Sequence, residues 1–506
     1  MTFACSQLKA LRAWAENIVR GAFRVRWACS CLRTTCRPAR APGGWAHPLH
    51  LARRLAGVAS LGLCTAASAA DTAPFSQSVQ VDPGFAYYTD RSAASIAEEL
   101  KANGYKSARY IVVRESTAKP DLVEACHAAG LYVSYATLGN GVYSTLDLPR
   151  GWERWKMRLK DGAATTGSFT YLCLNHPEYR RWKKKQVVTT LKRIPFDGFE
   201  IMESFWPAYN GPASPLYGCL CGHCRAAFLR ANPAARTPPD FTHAEAADYY
   251  RKDPHLYEQW IQFRAASVTA FLDDIVNGAE GVRLNFPRLP VAVWGIADAV
   301  PDGVAKIREW EGIDGALLVR TVRPDLYVIQ TDWPDWTRAD LAPAYVEEYR
   351  PFVKAVAAVS SVPIQVQTDI GSNEQCRRGV AWLSQCQAAA RRAGFAGVVA
   401  YEYHLSRNIY EAPPHPVRAV GATNTITLVF NKRLNAATAA ASTNYAVTPG
   451  RVLSAKVDGN LVNLQVTDRP TQATVRGLAD DPARRFFKGY PAVTMPSPVT
   501  LPVAWR

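Results

Sequence analysis

No apolar run in this 506-residue chain reaches the ~18 uncharged residues that a membrane-spanning helix requires, which excludes a channel or transporter built of such helices. No Gly-rich phosphate loop follows the first strand-like segment, and neither a nucleophile elbow nor a metal-binding His pair is present. After residue 70 there is no long Lys/Arg block apart from the isolated Lys183–Lys185. Residues 1–70 carry ten basic side chains and one acid, Glu16, a local +9 that leaves only +7 of the formal +16 for the rest of the chain. Nucleic acid is therefore not an expected partner. With 48% hydrophobic and 20% charged residues, the chain is also not mainly disordered.

Aromatics, in contrast, are plentiful: 14 Trp, 22 Tyr and 18 Phe. Much of this is core, but a groove for a flat or sugar-like ligand draws on the same residues.

The first seventy residues read as a leader. Arg53 and Arg54 precede an apolar run, Leu55 to Ala67, that ends in Ala67-Ser68-Ala69-Ala70. A basic end, a short apolar stretch and small residues form the pattern of a secretory signal, so the mature protein is expected to be secreted or periplasmic and to have no integral membrane span. Upstream of Leu51 the chain is Arg- and Cys-rich without periodicity, which points to a start codon assigned too early; a genuine amphipathic extension is the alternative. Five of the 12 Cys fall in the leader, and an exported protein permits disulfides among the other seven.

Between residues 71 and 412 one theme repeats: a short apolar strand, a loop, then an amphipathic helix. The expected strands are Phe85 to Thr89, Ala108 to Val113, Leu131 to Leu138, Phe199 to Glu203, Val291 to Ile296, Leu326 to Thr331, Ile364 to Thr368 and Val398 to Tyr403. Eight such units predict an α/β protein with a (β/α)8 TIM barrel, and unbroken Val/Ile/Leu/Tyr runs suit parallel strands covered on both faces. A linker, Ala412 to Pro416, then opens a stretch of short strands with Asn-, Gly- and Asp-containing turns and no helical segment. Residues 413–506 are thus expected to be a small all-β sandwich, separable from the barrel as domains usually are at such linkers. The segment from Asn424 to Val447, with Phe430-Asn431-Lys432-Arg433-Leu434 and later Asn444-Tyr445, resembles bacterial Ig-like modules, which implies an accessory role.

Barrel chemistry belongs at the C-terminal strand ends. Those positions offer Tyr88 and Asp90, Arg114 and Glu115, Asn140, Glu203, Asp298, Gln330 and Asp332, Asp369, and Glu402 with Tyr403 and His404. A mouth rich in carboxylates and aromatics fits glycosidic cleavage, which needs one carboxyl to protonate the leaving oxygen and a second as base or nucleophile. Glu203 is the first catalytic candidate; Asp332, Glu402 and Asp369 compete as its partner. Trp206, Tyr209, Trp333 and Trp336 follow strands four and six, where rings could stack on sugars or merely hold loops down. For Tyr88, Arg114, Asn140, Gln330, Asp369, Tyr403 and His404 the expected role is substrate binding, with a loop anchor as the competing reading.

Three segments together carry a resemblance: Cys173-Leu174-Asn175-His176-Pro177-Glu178-Tyr179-Arg180, Phe196-Asp197-Gly198-Phe199-Glu200-Ile201-Met202-Glu203, and Cys219-x-Cys221-x-x-Cys224 with Phe228. The combination resembles uncharacterised bacterial glycoside-hydrolase-like barrels, which implies glycosidic bond cleavage. Such relatives usually close the strand-four motif with Asp, where this chain has Met202-Glu203. Acids on strands four and six, here Glu203 and Asp332, are also the arrangement of retaining α-galactosidase-like barrels.

Cys219, Cys221 and Cys224, with Cys173 or His223 as a fourth ligand, could hold a structural zinc, or the four thiols could form two disulfides. No cofactor is expected for catalysis. The sequence therefore points to an exported glycoside hydrolase acting on an oligo- or polysaccharide. A non-catalytic carbohydrate-binding or cell-surface protein on a degenerate barrel is the alternative. Two carboxyls across one open cleft would favour the enzyme.

Overall fold

The computed structural model describes residues 77–162, 165–166, 169–207 and 210–506. The expected leader and export signal, and Tyr209, lie outside the described residues.

Eight parallel strands close into a barrel: β1 Gln77–Val81, β2 Ser107–Val112, β3 Tyr132–Leu138, β4 Gly198–Met202, β5 Val291–Ala297, β6 Leu326–Thr331, β7 Ile364–Asp369 and β8 Gly397–Tyr401. Each pairs with its neighbours in sequence, and β1 closes the ring on β8 through Gln77↔Val398 and Val79↔Ala400. β2, β4, β5 and β7 are buried along their whole length, as parallel strands covered on both faces are. The one charge inside β4, Glu200, is answered within the barrel. It pairs with the Arg109 guanidinium of β2 and accepts from Trp294 Nε1 of β5 at 2.8 Å, while Arg109 also donates to Gln365 of β7. Buried charge is tolerated there because β2, β5 and β7 each contribute a partner to the network.

The first strand differs from expectation. Phe85 to Thr89 is not in the ladder; Ala86–Tyr88 forms a short 3-10 turn, and Gln77–Val81 occupies the strand position. The aromatic run is apolar because it is packed inward as a plug, with the Tyr88 hydroxyl donating to Glu402 Oε1 at 2.6 Å. The acid following strand one is therefore Asp82, and Asp90 lies farther along with its carboxylate paired to Arg484.

The C-terminal module has seven strands: β9 Pro416–Ala422, β10 Thr425–Phe430, β11 Tyr445–Thr448, β12 Val452–Asp458, β13 Leu461–Val466, β14 Gln472–Val475 and β15 Val499–Trp505. They form a separate, mostly antiparallel sheet in the order β11-β14-β15-β9-β10-β13-β12. β15 belongs to two halves: Val499 to Pro502 pairs antiparallel with β14, and Val503 to Trp505 pairs parallel with β9. Ile426, Leu428, Val462 and Leu464 from one half share a core with Tyr445, Ala473 and Val475 from the other. A short helix, Ala436–Ala440, interrupts a stretch expected to lack one.

The module is not loosely tethered to the barrel. Arg433, almost wholly buried, donates to the carbonyls of Tyr87 (3.0 Å) and Thr89 (2.6 Å) and pairs with Asp481 at 3.0 Å. Lys432 Nζ reaches the carbonyls of Ile409 and Ala412, and Asn460 Oδ1 accepts from Ser95 Oγ at 2.9 Å. The composition break at 412 coincides with the passage from the barrel to the separate sheet, and the two stay in contact. Among the described residues, no helix is long and apolar enough to cross a membrane.

Candidate active site

The C-terminal ends of the strands open into a cavity of about 160 Å³. One buried water needs ~10–15 Å³ on the same measure, so the space admits roughly ten, the scale of an organic ligand and not of a lone ion. Four carboxylates line it: Asp82 after β1, Glu203 after β4, Asp332 after β6 and Asp369 ending β7. Tyr143, Phe169, Phe205, Trp294, Trp336 and Tyr401 supply aromatic wall.

Glu203 is held in an unusual way. Its φ is +49°, in the left-handed region that side chains other than Gly rarely occupy, at a cost of order 1–3 kcal/mol. Surrounding contacts enforce this. Asn140 Nδ2 donates to the Phe205 carbonyl at 2.9 Å, and the Phe205 N–H donates back to Asn140 Oδ1 at 3.0 Å. Gly139 passes so close that a Cβ there would lie 1.9 Å from Ser204 Oγ. The Gly139 N–H also donates to the Met202 carbonyl at 2.6 Å, so the strand-four segment is clamped to the strand-three loop on either side of the carboxylate.

Burial raises the Glu203 carboxyl above its ordinary range, and a hydrogen bond from Gln330 Nε2 to Oε1 at 3.3 Å opposes the rise. Asp332 is pushed up to about 7, first by burial and then by the charges of Glu203 and Asp335, against the Trp333 backbone N–H. Behind it stand two more acids. Asp298 is pushed up to about 8 by burial and by Asp332 and Asp335, and Glu311 is raised well above its usual range by burial, Asp332 and Asp298. Asp298 Oδ2 and Glu311 Oε2 are both buried without a hydrogen-bond partner. Clustered, desolvated carboxyls cannot all ionise, so this corner of the mouth retains protons near neutrality.

Asp82 is likewise pushed up to about 7, by burial and the Glu402 charge, against an N–H from Gly84. Asp369 reaches only about 6 despite its burial, because Ser372 Oγ and the N–H groups of Ser372 and Gly371 donate to its two oxygens. That saturation makes Asp369 a loop anchor that also forms cavity wall.

The other expected residues are placed elsewhere. Glu402 is fully buried outside the cavity wall, accepting from Tyr88 OH, the Asp82 N–H at 3.0 Å and His404 Nδ1 at 3.0 Å. Tyr403 donates to Glu99 at 2.8 Å, and the His404 ring packs on Phe85 and on Phe486 of the C-terminal module. Tyr88, Glu402 and His404 therefore form a buried network, with Tyr403 buried on Glu99 beside it, outside the cavity wall. Arg114 pairs with Asp147 at 3.0 Å, and Asn140 is the clamp described above. Trp206 is buried with Nε1 on the Arg264 carbonyl, and Trp333 does not line the cavity, whereas Trp336 and Gln330 do. Sequence reasoning missed Asp82, Tyr143 and Tyr401. The alternating Gln77-Ser78-Val79-Gln80-Val81 ahead of Asp82 was the available signal for the first. The four cysteines Cys173, Cys219, Cys221 and Cys224 come together away from the cavity.

No family model matches the chain, and no curated protein does. Among solved structures it is similar in fold to the catalytic domain of a β-amylase from Paenibacillus polymyxa, with 11% identity, 64% of this chain and 91% of that one covered, and a TM-score of 0.44. It is also similar to the glycoside hydrolase domain of PelA from Pseudomonas aeruginosa (10% identity, 64% and 94% covered, TM-score 0.35) and to the spore cortex-lytic enzyme SleL of Bacillus cereus (8%, 65% and 71%, 0.37). At this level of likeness neither family nor substrate follows.

Proposed function

We propose that the protein is a glycoside hydrolase in which Asp332 and Glu203 divide the acid and nucleophile roles. One observation carries this: the two carboxylates line one aromatic-walled cavity at the C-terminal mouth, close enough that the charge of Glu203 raises Asp332. Two coupled acids in different environments is how a protein keeps one protonated and one ionised at the same pH. Asp332, desolvated and backed by Asp298 and Glu311, holds the proton. It passes this to the glycosidic oxygen as the C–O bond breaks. Glu203, with the Gln330 N–H on one oxygen, gives its electron pair to the anomeric carbon directly or deprotonates the water that does. The wall rings Tyr143, Trp336 and Tyr401 offer faces for a sugar.

On this reading the substrate is an oligo- or polysaccharide, met outside the cytoplasm if the basic and apolar leader directs export. The C-terminal domain then serves as an Ig-like accessory module. The test is a screen of the full chain against aryl glycosides and bacterial and plant polysaccharides, scored for released reducing ends, with Asp332→Asn run beside it. Hydrolysis lost in the variant supports the enzyme. Saturable binding of a polysaccharide with no cleavage by the wild type would favour the non-catalytic binder.

A further inference from the structure

Cys173 lies on the loop ahead of helix α1 (Pro177–Arg193), and Cys219, Cys221 and Cys224 lie on the turn that starts helix α2 (Gly222–Ala231). These two segments, about fifty residues apart, place all four Sγ atoms within 4.8 Å of one another. Cys173 Sγ stands 3.6 Å from that of Cys221 and 3.5 Å from that of Cys224. Sulfurs held at ~2.3 Å from a central zinc stand roughly 3.8 Å apart at the corners of a tetrahedron. The observed spacing is near that value and well beyond the ~2.05 Å of a disulfide. A disulfide would also pair the sulfurs two by two, whereas Cys173 faces two partners at nearly equal distance.

Two N–H groups point at the sulfurs. The Arg158 backbone N–H donates to Cys219 Sγ and Asn175 Nδ2 to Cys224 Sγ, both at 3.4 Å, the outer contacts that steady metal-bound thiolates. Three of the cysteines are buried and Cys221 is half-buried, so no open position remains for a substrate. His223, the other candidate for the fourth place, is exposed with its ring against His176; Cys173 takes that place.

We propose that Cys173, Cys219, Cys221 and Cys224 bind one zinc ion in a closed, structural site. Such a site braces the wall of the mouth. Gly218, next to Cys219, accepts from Arg264 Nη2 at 3.1 Å; Arg264 also donates to the Trp310 carbonyl at 2.7 Å and receives Trp206 Nε1 on its own carbonyl at 3.1 Å. Trp206 is three residues from Glu203. The ion thus ties the strand-four insertion to the segment that carries Glu203, the proposed nucleophile or base.

The test is elemental analysis of the full chain purified without chelator, with intact mass measured under non-reducing conditions. About one zinc per chain is expected, with Cys173→Ser and Cys224→Ser each losing it. Cys126→Ser, a buried cysteine outside the cluster, should keep it. If the Ser variants do not fold, X-ray absorption on the wild type still decides, because four sulfurs at ~2.3 Å are required. A chain with no zinc and a mass 4 Da below the reduced value would carry two disulfides and overturn the proposal. A metal-free reduced chain that takes up no added Zn²⁺ would overturn it equally.

Discussion

The side-chain amide of Gln330 donates to Glu203 Oε1 at 3.3 Å, joining the end of β6 to the end of β4 across the mouth of the barrel. The bond favours the ionised form of a carboxyl that burial otherwise raises. Gln330→Ala should therefore raise the Glu203 pKa, moving the acidic limb of the rate profile to higher pH by about one to two units, since a hydrogen bond to a charged group is worth ~1.5–3 kcal/mol. A pH–rate series on wild type and variant measures this. An unmoved limb would mean that Glu203 does not set it.

Asp332 should set the opposite limb. With its carboxyl pushed up to about 7, activity is expected to fall above neutrality as the donor proton is lost. Asp332→Asn should lower turnover by ~100 to 10,000-fold and remove that limb from whatever activity remains. Aryl glycosides with good leaving groups, which need little protonation, should be the least affected.

Stability should respond to the same group. A carboxyl raised on folding favours the folded state below its ordinary value of 3.8, and that contribution is lost as pH rises through about 7. Asp82 and Asp298, also raised, act in the same direction. The melting temperature of the wild type is thus expected to decline between pH 4 and 8. The decline should be shallower in Asp332→Asn, as calorimetry across that range would show.

The left-handed backbone at Glu203 predicts a trade of stability against function. Glu203→Gly relieves a non-Gly residue at φ +49° and removes a desolvated carboxyl. It should be inactive, yet at pH 8 melt no lower than the wild type. A loss of several degrees would instead show that the carboxylate holds the loop.

Arg433 is the bolt between the domains. Arg433→Met leaves the buried Tyr87 carbonyl, the half-buried Thr89 carbonyl and the Asp481 carboxylate without this donor and should cost about 2–4 kcal/mol in chemical denaturation. Arg407→Ala, which removes an exposed ion pair with Glu411, should change stability by less than ~1 kcal/mol. For the same reason a chain ending at Glu411 is expected to be less stable than the full chain, although the linker alone suggests separability.

The barrel was legible because short strand-like segments rich in Val, Ile, Leu and Tyr alternate with amphipathic helices, and seven of the eight fell within a residue or two of their places. β1 was not, since its alternation Gln77-Ser78-Val79-Gln80-Val81 is weaker than the aromatic Phe85 to Thr89, which is apolar for packing and not for pairing. At the mouth, strand-end position identified Glu203, Gln330, Asp332 and Asp369, all on the cavity wall. Position fixes where a Cα emerges, not where the side chain turns. Glu402 occupies an equivalent strand end, but Tyr88, Asp82 and His404, distant or adjacent in the chain, hold its carboxylate out of the cavity wall. Asn140 and Trp206 were likewise at the right height and proved to be clamps. Such partners come from loops whose course no local pattern reveals.

The most direct measurement is the turnover of Glu203→Gln beside wild type on any glycoside the wild type cleaves, with thermal melting recorded on the same samples. Glu203→Gln keeps the size of the side chain while replacing the carboxylate that attacks or deprotonates with a neutral amide. The expected result is a ~100 to 10,000-fold loss of turnover with melting unchanged or slightly raised. Unchanged turnover with lowered melting would contradict the assignment and make Glu203 a structural carboxylate.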